Sequence, residues 1–196
     1  MKKIILSAVA VLAFGFTNAQ GVKFGAKVAL NVASLTGDVE DASSLVGFQI
    51  GGFAEFKISE KFAFQPELMY SAQGGKETFQ EGGSDIDVTT KLGYINIPLM
   101  AKYYVAEKFS LEAGPQIGFL TSAKNKFEGG GESLEVDVKD STSSVDFGLN
   151  LGAGYDFTEK LSAGVRYNFG LSNTYDDEGD ADIKNAVLSV SLGYKF

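Results

Sequence analysis

The chain has 196 residues, 17 basic against 25 acidic, with no Cys and no His. The formal charge of -8 excludes a nucleic-acid surface, which needs a basic footprint. The missing Cys and His exclude disulfides, thiolate nucleophiles, Ser-His and Cys-His pairs, and imidazole metal sites.

Residues 1–19 read as a secretory signal peptide. Lys2 and Lys3 form a charged start, Ile4 to Phe16 an apolar run, and Thr17-Asn18-Ala19 a small-residue cleavage site. Cleavage between Ala19 and Gln20 would leave one mature domain, residues 20–196. The mature chain would keep 15 basic and 25 acidic residues, a net charge of -10. The apolar run is too short for a membrane-spanning helix, which needs roughly 20 residues. No later run supplies one, and no Cys is present to carry a lipid.

From Val22 onward, strict period-two alternation marks eight strands. The first sets Val22, Phe24, Ala26, Val28, Leu30 and Val32 against Lys23, Gly25, Lys27, Ala29 and Asn31. The second and third run from Phe48 to Ile58 and from Phe62 to Ser71. The fourth sets Ile95, Ile97, Leu99, Ala101 and Tyr103 against Tyr94, Asn96, Pro98, Met100 and Lys102. The fifth runs from Phe109 to Phe119 and the sixth from Val145 to Asp156. The seventh runs from Leu161 to Gly170 and the last from Ala186 to Phe196. Pro66, Pro98 and Pro115 each delete a ladder donor, so a bulge or bend is expected at each.

One turn occurs three times, as Ser59-Glu60-Lys61, Ala106-Glu107-Lys108 and Thr158-Glu159-Lys160. It joins successive strands with almost no loop. The other four connections, about 35–46, 74–91, 122–143 and 174–184, are long. They hold 17 of the 25 acidic residues. Short turns at one end and long loops at the other are the pattern of a transmembrane β-barrel. The reading is therefore an all-β, eight-stranded, antiparallel up-and-down barrel in the outer membrane, with short periplasmic turns and long acidic extracellular loops.

The apolar face is expected to point outward, into lipid. Aromatics gather near both strand ends, among them Phe62, Tyr103, Phe109 and Tyr155 at the turn end and Phe48, Tyr70, Phe119 and Tyr167 at the loop end. Smaller aliphatics such as Val28, Leu99, Leu151 and Val190 lie between them. Two girdles around an aliphatic band fit a bilayer. The Gly and small polar residues of the other face fit the narrow interior of eight strands. Tyr194 and the terminal Phe196 form an aromatic end of the kind read by the barrel-assembly machinery during insertion.

That assignment turns Lys27, Glu55, Lys57, Glu67, Lys102, Glu112, Asp146, Asp156 and Arg166 toward the lumen. Unpaired charge there is costly, so the residues should pair across strands. They form either a polar conduit or a salt-bridged plug, and the narrow interior favours the plug. The run Asp176 to Asp182 has carboxylates around Gly179, but its spacing does not match a Ca²⁺ loop, and a solvated acidic loop is the reading. Glu128-Gly129-Gly130-Gly131-Glu132 lacks the Lys-Ser or Lys-Thr of a phosphate cradle and reads as a mobile loop. No cofactor, metal site or catalytic constellation is expected.

Several segments resemble the PorT-like outer-membrane β-barrel family of Bacteroidetes. They are Phe24-Gly25-Ala26-Lys27, Tyr94-Ile95-Asn96-Ile97-Pro98-Leu99, Gly114-Pro115-Gln116-Ile117-Gly118 and Arg166-Tyr167-Asn168-Phe169-Gly170-Leu171-Ser172-Asn173. The resemblance implies an eight-stranded barrel in the outer membrane. The family's founding member supports type IX export of secreted proteases, and the family has no catalytic residues to carry over. A non-enzymatic anchor is expected. Its partners would be outer-membrane lipid and a protein at the loops or periplasmic turns. A narrow transport or ligand-binding barrel and an adhesin are the alternatives.

Overall fold

A computed structural model describes residues 22–39, 42–81, 84–129, 132–175 and 182–196. The expected signal segment, the Ala19–Gln20 junction and Asp176 to Ala181 lie outside the described residues. The strands are β1 (Val22–Gly37), β2 (Ser43–Lys57), β3 (Phe62–Glu81), β4 (Ser84–Ala106) and β5 (Phe109–Gly129). They continue as β6 (Glu132–Asp137), β7 (Val145–Asp156), β8 (Leu161–Gly170) and β9 (Ile183–Lys195).

All pairings are antiparallel, in the order β4-β3-β2-β1-β9-β8-β7-β5-β6, and a further pairing of β4 with β5 closes the ring. The ring therefore has eight strands, which leaves it no free edge in the bilayer. Among the described residues β6 is a ninth strand outside it, paired with β5 alone. The first strand is sewn to the last from Gly25↔Lys195 to Gly37↔Ile183, and the Phe196 amide donates to the Phe24 carbonyl at 2.9 Å.

The repeated turn has a structural explanation. The carbonyls of Lys61, Lys108 and Lys160 accept the amides of Tyr104, Asp156 and Lys195 at 2.8, 2.8 and 2.7 Å. Each turn thereby extends the ladder to the next ring strand by one residue. The Thr158 hydroxyl caps its own turn by accepting the Leu161 amide at 2.9 Å, and Ser59 does the same for Phe62 at 3.1 Å.

The apolar faces point outward. Leu30, Leu151 and Val190 are 67%, 47% and 57% exposed, whereas Asn31 and Asn150 beside them are buried. The aromatic ends pack along this outer surface: Phe62 on Tyr103 at 4.9 Å between centroids, Phe48 on Tyr70 at 5.9 Å, and Tyr194 on Phe196 at 6.0 Å.

Two expectations are corrected. The second and third long connections are largely strand: β3, β4 and β5 have 20, 23 and 21 residues, about twice what a tilted crossing needs. Their outer halves rise beyond the bilayer as a sheet to which β6 adds. The described part of the expected mobile loop, Glu128, Gly129 and Glu132, belongs to the β5–β6 hairpin. Second, the prolines cause no bulge. Register is unbroken from Phe53↔Glu67 to Phe56↔Phe64, past Pro66↔Leu99, and through Pro98↔Gln116 and Pro115↔Leu149. The register shifts fall elsewhere, between Ser44 and Gln49, between Gly93 and Tyr94, and at Tyr104 to Ala106. At Gly93 the extra residue on β5 is Thr121, whose hydroxyl donates to the Gly93 carbonyl at 2.8 Å.

Candidate functional site: a charge-sealed lumen

Eight charged side chains meet in the periplasmic half of the lumen, one from each ring strand. In chain order they are Lys27, Glu55, Glu67, Lys102, Glu112, Asp156, Arg166 and Lys195. Four cations therefore face four anions, and the cluster is neutral. Lys27 Nζ lies 2.6 Å from Glu67 Oε1. Arg166 donates from both terminal nitrogens to Glu67 at 2.9 Å, and from Nη2 to Glu112 at 3.0 Å. Lys102 lies 3.4 Å from Glu112 and 3.1 Å from Glu55. Lys195 ends the series, 3.2 Å from Glu55 and 3.3 Å from Asp156.

Neutral groups fill the remaining hydrogen-bonding positions. Gln65 donates to Glu67 at 2.7 Å and accepts from Lys102 at 3.3 Å. The Tyr104 hydroxyl donates to Glu55 at 3.2 Å. Charges this buried persist only when paired and hydrogen-bonded, and here every member is both. Room for them comes from glycine. A Cβ at Gly154 would lie 2.8 Å from Glu112 Oε1, and one at Gly25 would lie 2.3 Å from the Phe53 ring.

Above this layer the lumen is filled by amides and hydroxyls. Asn31 bonds Ser71 and Ser189 at 3.2 and 3.1 Å, and Asn150 bonds Gln116 and Asn168 at 3.3 and 3.1 Å. Higher still, Leu35, Leu92, Tyr94, Ala123 and Ile183 form an apolar cap. The spaces of about 20 Å³ beside Arg166 and about 10 Å³ beside Asn150 have room for about one water each. On the periplasmic side, by contrast, a cup of about 870 Å³ opens, walled by the Glu-Lys turns and floored by Glu55, Asp156 and Lys195.

The structure thus joins seven of the nine charges turned inward by the alternation. Lys57, the last residue of β2, is exposed at the cup rim. Asp146, the second residue of β7, lies at the other end, where it accepts from Ser172 at 3.3 Å and Asn185 at 3.2 Å. Lys195 was missed, although it shares its parity with Ser189, Ser191 and Gly193. Among the described residues no group of three or more acidic side chains is placed to hold a metal ion.

The sheet beyond the hydrocarbon core carries its charges on the outside. Glu135 of β6 accepts from Lys124 at 2.7 Å and from Lys91 at 3.2 Å. The bond from Lys124, then that from Lys91, holds the Glu135 carboxyl below the usual carboxylate range, and the same contact raises Lys124. The Lys124–Glu135 pair therefore stays charged through neutral pH.

A closed eight-stranded ring with an apolar outer belt and a filled interior defines an integral outer-membrane β-barrel. The chain belongs to the outer membrane protein beta-barrel domain family, whose model matches residues 18–176. Among solved structures it is similar to Ail, the attachment invasion locus protein of Yersinia pestis, at 15% identity over 91% of this chain and 100% of that one, with a TM-score of 0.57. It is similar also to Neisserial surface protein A, at 13% identity over 90% of this chain and 100% of that one, with a TM-score of 0.55. At these identities the likeness is one of fold. No curated protein matches by sequence.

Proposed function

We propose that this protein is a non-enzymatic anchor whose two ends, not its lumen, are the working surfaces. The observation that carries this reading is the filling of the lumen: a neutral ring of eight charges, an amide layer and an apolar cluster are stacked along it, and the spaces beside Arg166 and Asn150 measure only about 20 and 10 Å³. What remains for partners is the periplasmic cup and the sheet above the bilayer.

The resemblance to the PorT-like family supports a sharper form, in which a periplasmic or surface partner belongs to protein secretion. An adhesin is the second reading. Ail has been solved with the heparin analogue sucrose octasulfate. A polyanion of that kind suits this chain poorly, because 17 of its 25 acidic residues lie in the long connections.

The test is a clean deletion in the source organism, comparing proteins released to the medium with those held in the periplasm. The secretion role predicts periplasmic retention with unchanged detergent sensitivity. Normal release would remove that role and leave the surface sheet as the place of function.

A further inference from the structure

The outer wall of the barrel carries a cleft that the anchor role does not use. Between Ser44 and Gln49 the β2–β3 ladder is interrupted, and beside it lies the Gly93 bulge of β4 and β5. The cleft left there measures about 350 Å³. Its lower walls are apolar and outward-facing: Val46 and Phe48 of β2 and Tyr70 of β3, the two rings 5.9 Å apart. The closed lumen cap backs it through Leu92. Its upper rim is Lys91 and Lys124.

These two lysines are direct cross-strand partners. Like charges placed opposite each other repel unless an anion is shared between them. Here the shared anion is the carboxylate of Glu135, and all three side chains are 40–49% exposed. Exposed pairs of this kind are weakly held and exchangeable.

The two lysines also stand at the height of a lipid headgroup. Lys91 pairs with Gly74, four residues beyond Tyr70 on β3. At ordinary strand rise and tilt that is about 10 Å along the barrel axis. Tyr70 and Phe48 sit in the outer aromatic girdle, so the lysines stand at the level of lipid headgroups, with long stems able to reach down. An apolar cleft below and a two-lysine clamp above match one molecule: a lipid with an acyl chain and a phosphate. The volume falls at the small end of ligand pockets and suits one chain.

We propose that this cleft binds a lipid of the outer leaflet with a net anionic, phosphate-bearing headgroup, its acyl chain between Phe48 and Tyr70 and its phosphate on Lys91 and Lys124, with Glu135 holding the place when lipid is absent.

The chain has no Trp, so Phe48→Trp installs a single reporter in the cleft wall. The full barrel is folded into vesicles of phosphatidylcholine with brominated phosphatidylglycerol, or with brominated phosphatidylcholine as control. The brominated phosphatidylglycerol is expected to quench at lower mole fraction. Lys91→Gln and Lys124→Gln should each weaken that preference about fivefold, the usual share of one lysine near an anionic surface. Glu135→Gln, which frees the clamp, should strengthen it. Heat-modifiable gel mobility identifies any variant that has not folded, and the Glu135→Gln result then decides alone. Equal quenching by both lipids would overturn the proposal. So would a preference that ignores the lysines, a Glu135→Gln variant that binds no more tightly, or release of the lipid by millimolar inorganic phosphate, which would make this a phosphate site only.

Discussion

Replacing Glu67 by Ala should lower the stability of the folded barrel by about 3–5 kcal/mol, the usual cost of removing one partner from a buried ion pair. Glu67 has no exposed side-chain surface and serves two cations, Lys27 and Arg166, as well as Gln65. Its loss strands a lysine and leaves the guanidinium with Glu112 alone. The penalty is the uncompensated positive charge, not the absolute worth of the bonds. The double variant Glu67→Gln, Lys27→Met removes one charge of each sign and should recover part of the loss, because residues of one network are not additive. Urea titration of the protein in vesicles, read by the gel mobility of unboiled samples, measures both. A loss below about 1 kcal/mol for Glu67→Ala would show that water reaches the cluster and screens it.

The second large effect belongs to the opposite face. Leu151→Arg should destabilise the barrel by about 2–4 kcal/mol, as a cation at the bilayer midplane does. Leu151 lies midway along β7, between Ala113 and Tyr167, and is 47% exposed to the surroundings. In water that position would accept an arginine freely; in hydrocarbon it cannot. Leu151→Ala, which removes packing without adding charge, should cost much less. An arginine tolerated at this site in vesicles would mean that the apolar face does not meet lipid.

Most of the ring was legible from alternation alone, because each strand has one face in hydrocarbon and one in a crowded polar lumen. The same parity placed Lys27, Glu55, Glu67, Lys102, Glu112, Asp156 and Arg166 on one side. It could not say that they converge, since that depends on stagger between strands. Lys57 and Asp146 share the parity but sit near strand ends, Lys57 exposed at the periplasmic cup and Asp146 buried at the opposite end beside Ser172 and Asn185.

Strand β6 was not legible. All six residues of Glu132–Asp137 are exposed, and they are extended because β5 continues past the membrane and offers them an edge. The Thr121 bulge left no turn residue to mark it, yet it reverses the parity of the rest of β5. Ala123, Asn125 and Phe127 thereby face inward, and Lys124 and Lys126 outward. The prolines misled for the opposite reason: a lost donor does not shift register when the flanking pairs hold it.

An anchor with a sealed lumen should pass no ions. Recording from planar bilayers containing the purified, folded protein at neutral pH decides the matter. The sealed lumen predicts no unitary conductance steps above those of the bare bilayer. Reproducible steps of one size, lost when the protein is left out, would contradict it and make the inward charges the lining of a passage.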